Sequence, residues 1–157
     1  MDTTELRAAY ADFLAVAEAG GFGPPPPGEW DADQILAHIY AGHAGITSTA
    51  LAVIAGSRPA YDNRSSLDRW NLARVIDRAG DRAGLINLVR QGGELHVAVT
   101  EHLTKADLEV QVPVLIISND ELIVDEPWSL AQLVFGIGMV HLPRHVDQLR
   151  SLRPVNA

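Results

Sequence analysis

Apolar side chains recur at intervals of three and four residues along four separate stretches of this chain, and an α-helix collects residues at that spacing on one face. The first stretch, "TTELRAAYADFLAVAEAGG", aligns Leu6, Tyr10, Phe13, Leu14 and Ala17 and stops at Gly20-Gly21. A second begins at Asp31, whose carboxylate can cap the free amides while Gln34 reaches back to it. Its apolar face runs through Ile35, Leu36, Ile39 and Tyr40 and fades near Gly56. The third starts at Asp81 and carries Leu85, Leu88, Val89, Leu95, Val99 and Leu103, with Gly92-Gly93 weakening its middle. The fourth opens at Ser129 and Gln132, another capping pair, continues through Leu130, Leu133, Val134, Ile137 and Val140, and runs to about Leu152.

The segments between them differ in kind. "FGPPPPGEW" is a stiff extended connector, because its prolines lack amide donors. "SRPAYDNRSS" reads as a loop and "SSLDRWNLARVIDRAG" as a shorter helical piece. "VQVPVLIISNDELIVDEP" places β-branched runs on either side of Asn119-Asp120, which predicts a β-hairpin with Pro113 toward an edge. The expected fold is all-α: one domain over residues 1–157, an antiparallel four-helix bundle with one β-hairpin before the last helix.

Composition narrows the chemistry. Acidic residues outnumber basic ones by 20 to 12 and no basic run exists, so nucleic acid is not an expected partner. There is no cysteine, which excludes disulfides, cysteine nucleophiles and thiolate metal sites. No apolar run is long enough to span a membrane, and "MDTTELRAAY" lacks a signal core, so a cytoplasmic location is expected. Lysine occurs once against many arginines, the bias of a GC-rich bacterial genome. No G-x-S-x-G pattern supports a serine hydrolase.

The six histidines carry the remaining signal. His141 and His145 stand four apart in "HLPRH" and project from the same side of a helix. They are half of a metal site, or a solvated pair favourable to the helix dipole. His38 falls among Ile35, Leu36 and Ile39, where an unpartnered imidazole is costly, so it is the candidate third ligand or a satisfied core residue. Pro143 between the pair removes one helical hydrogen bond and crowds the Met139 carbonyl, which predicts a kink. His96 and His102 lie on different sides of their helix and read as structural. Asp33, Asp147 and Gln148 are the nearby groups able to orient imidazoles.

Three segments resemble the DinB/YfiT-like family, which includes the mycothiol-dependent maleylpyruvate isomerase-like proteins. "GEWDADQILAHI" is similar to the family's W-[ST]-x-x-x-[LV]-x-H-[LI] helix, with His38 on the ligand histidine. "HLTKADLEVQV" is similar to L-[ST]-x-x-D-L-x-x-x-V. "HLPRHVDQL" is similar to H-x-x-x-H-x-x-Q-[LI], which sets His141, His145, Gln148 and Leu149 on family positions. Pro143 stands where the family has a helix former, and Val146-Asp147 replaces the common Arg-Gly.

The resemblance implies a divalent metal, zinc or nickel, held by His38, His141 and His145. It further implies a metal-dependent enzyme acting on a small electrophile: a low-molecular-weight-thiol transferase or isomerase with mycothiol as co-substrate, or a hydrolase, in a homodimer or monomer. A second expectation is a metal-free bundle that binds or sequesters a small apolar molecule in a pocket lined by Trp30, Tyr40, Trp70 and Trp128. The apolar segment "VPVLIISNDELIV" is expected to cover the bundle in a monomer, and a third reading is that it pairs between subunits instead.

Overall fold

A computed structural model describes residues 2–154; Met1 and residues 155–157 of the expected domain lie outside the described residues. Helix α1 spans Thr4–Ala19, α2 Ala32–Ile54, α3 Arg69–Ala79, α4 Arg82–His102 and the short α5 Lys105–Glu109. Strands β1 (Tyr61–Asp62), β2 (Gln111–Ser118) and β3 (Glu121–Ser129) form one sheet in that order. The last helical run is α6 (Leu130–Gly136), a π turn (Ile137–His141) and α7 (Leu142–Ser151). The fold is therefore mainly helical with a small sheet, and α2 lies along α4 while α1 packs on α4, the π turn and α7.

Local chemistry starts the helices where the sequence places them. Asp31 accepts from the Gln34 amide at 2.8 Å, and the Gln34 side chain accepts from the Asp31 amide at 3.0 Å. Ser129 and Gln132 form the same reciprocal box at the start of α6. Helix α1 ends at Gly20 and Gly21, both at positive φ. Its buried face is Leu6, Tyr10, Phe13, Val16 and Ala17, so Val16 is buried where Leu14 was expected. In α4, Leu95 faces solvent instead of the core, because the buried stripe runs through Leu85, Val89, Gly93, His96 and Thr100.

Of the glycine pair in α4, Gly93 has a packing cause. A Cβ on Gly93 would stand 2.7 Å from the Tyr10 ring, so this glycine lets α1 and α4 close on one another. Gly138 does the same in the π turn, where a Cβ would lie 3.1 Å from the Leu6 Cα. These two close approaches press α1 against both α4 and the last helix.

The hairpin forms about Asn119 and Asp120, both at positive φ, as a two-residue turn requires. Pro113 lies in the central strand, but it precedes the stretch paired with β1, which joins Tyr61 to Val114 and Asp62 to Leu115. Strand β1 itself falls in the segment expected to be a loop. Two residues carry too little pattern to mark a strand, and the pairing is parallel and distant in sequence. A bulge between Ile116 and Ile117 follows. There the Asn63 carboxamide accepts from the Ile117 amide at 2.9 Å and donates to its carbonyl at 2.8 Å. This anchors the 3-10 turn Asn63–Ser66 between the sheet and α2.

Pro143 does not simply kink the last helix. In an α-helix its ring would strike the Met139 carbonyl. The chain widens by one residue over Ile137–His141, and the Leu142 amide bonds five residues back to Ile137.

Gly93→Ala is expected to destabilise the fold by about 1–2 kcal/mol, because overpacking against Tyr10 exceeds the gain in helix propensity. Chemical denaturation of the variant checks this; equal or greater stability would show that Tyr10 moves aside freely.

Candidate metal centre

Three imidazoles meet where α2 faces the end of the π turn and α7. The Nε2 of His141 lies 3.1 Å from the Nε2 of His38 and 3.2 Å from the Nε2 of His145. One ligand atom from each of the three lies within 4.8 Å of the other two. In a tetrahedral site with metal–nitrogen bonds of about 2.05 Å, neighbouring nitrogens stand about 3.3 Å apart. The three residues singled out from the sequence are thus brought together, and they can hold a metal ion.

The far nitrogen of each ring is fixed by a different partner. His38 Nδ1–H donates to the Ser66 carbonyl at 2.8 Å, which leaves its Nε2 as a lone pair. His145 Nδ1–H donates to Gln148 Oε1 at 2.8 Å, with the same result. Two lone pairs therefore face the His141 Nε2, where they can share a proton from that nitrogen or a cation. With His141 Nε2 as a ligand, its Nδ1 carries the proton and donates to His43 Nε2, 3.1 Å away. His43 then presents Nδ1–H to the Tyr10 hydroxyl oxygen at 2.7 Å. The proton positions of this chain follow from the bound His141 nitrogen, which cannot donate, and the Tyr10 hydroxyl accepts at the other end.

Burial and mutual proximity keep the rings neutral. Burial is the largest cause in every case. It lowers the His38 pKa against the opposing bond to Ser66. It holds His141 well below the usual range, assisted by the charges of His145, His38 and Arg144. His145 falls to about 3, through burial and then His38, with the Gln148 bond opposing. His43, the most deeply buried of the four, is held well below its ordinary value by burial and then by His141, His96 and the others. Neutral imidazoles are what a metal requires, because a protonated ring has no lone pair to give.

His43 was not singled out in the sequence. It lies five residues after His38, off the face that spacing assigns to that residue, and the two share a site only because His141 stands between them. Of the groups expected to orient the rings, Gln148 does so, whereas Asp33 pairs with Arg82 and Asp147 with Arg150. His96 is buried, donating Nε2–H to the Val134 carbonyl at 3.2 Å, and His102 bonds the Ala98 carbonyl from the surface. The solvated-pair reading of His141 and His145 fails, because His145 is buried and His141 half-buried.

Two cavities open onto the cluster, of about 610 and 630 Å³. The first is apolar and the second polar, and both reach His38 and His141. The expected four-aromatic pocket does not form. Trp128 lines the apolar cavity and Trp30 the polar one, where its ring sits 4.9 Å from that of His38. Tyr40 packs near Gly92, and Trp70 is 66% exposed under Arg74. No helix of the described residues is long and apolar enough to cross a membrane.

The histidines also set a pH response. His96 titrates at about 4 in the folded chain, depressed by burial, against 6.5 for a free side chain. The unfolded form binds the proton first as pH falls, so stability is full above about 6.5 and is lost down to about 4. His96 alone is expected to cost about 3 kcal/mol across that window. Denaturation of metal-stripped protein at both ends of the window checks the sign, and His96→Leu should show a smaller loss. No protein-family model, curated protein or solved structure matches the chain.

Proposed function

We propose that this chain is a metal-dependent enzyme of the DinB/YfiT-like kind, with α1, α2, α4 and the Leu130–Ser151 run arranged as an antiparallel four-helix bundle. The observation that carries the reading is the convergence of three Nε2 atoms from His38, His141 and His145, each ring pinned from behind by its own partner. Zinc or nickel suits this all-nitrogen donor set. Bound there with a free position, it would lower the pKa of a thiol or water and supply a nucleophile at neutral pH.

The chain's own residues do the positioning. Ser66 and Gln148 fix the orientation of His38 and His145, and His43 holds His141 with its proton on the far side. The apolar cavity beside the cluster limits water and provides room for a small electrophile. A chain without cysteine must take its thiol from solution, so a low-molecular-weight thiol such as mycothiol is the proposed co-substrate, in a transferase or isomerase reaction; hydrolysis is the variant with water. A second reading, metal-free binding of a small apolar molecule, is favoured by the same cavity and needs no ion.

Elemental analysis of untagged protein is expected to find about one zinc or nickel per chain, lost in His141→Ala. Metal-free wild-type protein that remains folded would leave the second reading. His43→Leu is expected to keep the fold and weaken metal binding about 10–100-fold, measured by competition with a chelator. Unchanged affinity would show that His43 does not orient His141.

A further inference from the structure

The polar and apolar cavities share one charged residue, Arg144, which follows His141 by three positions and precedes His145. Its guanidinium reaches only the Ser118 hydroxyl, at 3.4 Å, and takes part in none of the ion pairs among the described residues. Glu29 and Asp120 belong to the wall of the polar cavity, yet neither pairs with it. It lines both cavities together with His38 and His141, and the polar one with His145 as well. No carboxylate lines the apolar cavity.

On the apolar side the charge balance is one-sided, because Arg144 lines that cavity and no carboxylate does. Three neutral imidazoles contribute nothing against a divalent ion, and Arg144 adds a further positive charge beside it. A partly enclosed site of that kind favours an anion, and a guanidinium fork matches the two oxygens of a carboxylate.

The apolar cavity specifies the rest of the ligand. Ile46, Val124, Trp128, Phe135 and Ile137 line it. Met139, Val140 and Ile123 line it too and are 68%, 66% and 57% exposed. The π turn thrusts the first two outward. Exposed apolar side chains lining an apolar cavity fit a ligand that covers them.

We propose that the substrate is a small carboxylate with an apolar body, its head group held by Arg144 beside the three histidines and its body in the cavity of about 610 Å³. The inference rests on the metal-centre reading for one of the two positive charges that face the head group.

The test uses 4-phenylbutanoate and its neutral counterpart 4-phenylbutanol as probes, titrated calorimetrically into metal-loaded and metal-stripped full-length protein of measured metal content. The carboxylate is expected to bind about tenfold or more tightly than the alcohol to the loaded wild type. Arg144→Gln, an exposed position, should remove that preference and leave the alcohol unaffected. Ala131→Trp, which fills the apolar cavity, should weaken both probes about tenfold while keeping their ratio. Equal affinity for the two probes overturns the proposal, as does a preference that survives Arg144→Gln or binding untouched by Ala131→Trp. Protein that takes up no metal but still prefers the carboxylate through Arg144 sinks the metal reading alone. Protein that holds metal without that preference sinks only this inference.

Discussion

The constraint on which the rest of this structure depends is the burial of several imidazole rings against one another. A buried histidine is held neutral, and each nitrogen left without a partner is costly, as Nδ1 of His96 is here. For His38, His43, His141 and His145, the surroundings supply those partners one at a time: a carbonyl, a phenol, a neighbouring imidazole and an amide. Much of the fold is recruited to put them there. The hairpin bulge exposes Ile117, Asn63 binds it, and the turn that follows delivers the Ser66 carbonyl to His38. Gly93 admits Tyr10, and Tyr10 reaches His43.

This arrangement explains why the backbone departs from regularity where it does. An uninterrupted α-helix over Leu130–Ser151 would be the cheaper structure, and Pro143 forbids it. The widened turn costs regular hydrogen bonding yet lets Gly138 lie against Leu6 and sets His141 between two histidines of α2. Local irregularity and the histidine cluster therefore coincide, as π turns in other helices often do with sites.

The helices were legible because their signals are local. Asp31 with Gln34 and Ser129 with Gln132 cap where the sequence says, and Asn119-Asp120 turns the hairpin. The three ligand candidates were legible in part: spacing joined His141 to His145, but burial alone could not separate a ligand from a core residue at His38. What stayed hidden is non-local. His43 joins the cluster through a residue almost a hundred positions away, and β1 exists only because β2 lies beside it. Leu95 misled because its own helix presents two apolar sides, and contact with α1 and α2 decides which is buried.

The π turn also bears on how such a site can arise and be lost. A π turn is one residue more than an α-helix needs over the same span. Deleting a single residue there would remove the widening, leave Pro143 to kink the helix, and swing everything before it by up to about 100° relative to α7. His141 and His145 would keep their mutual spacing, while the hairpin and the apolar cavity would no longer face them. The pairing of cluster with cavity in this chain is thus a property of length, adjustable by insertion or deletion with no change to any ligand.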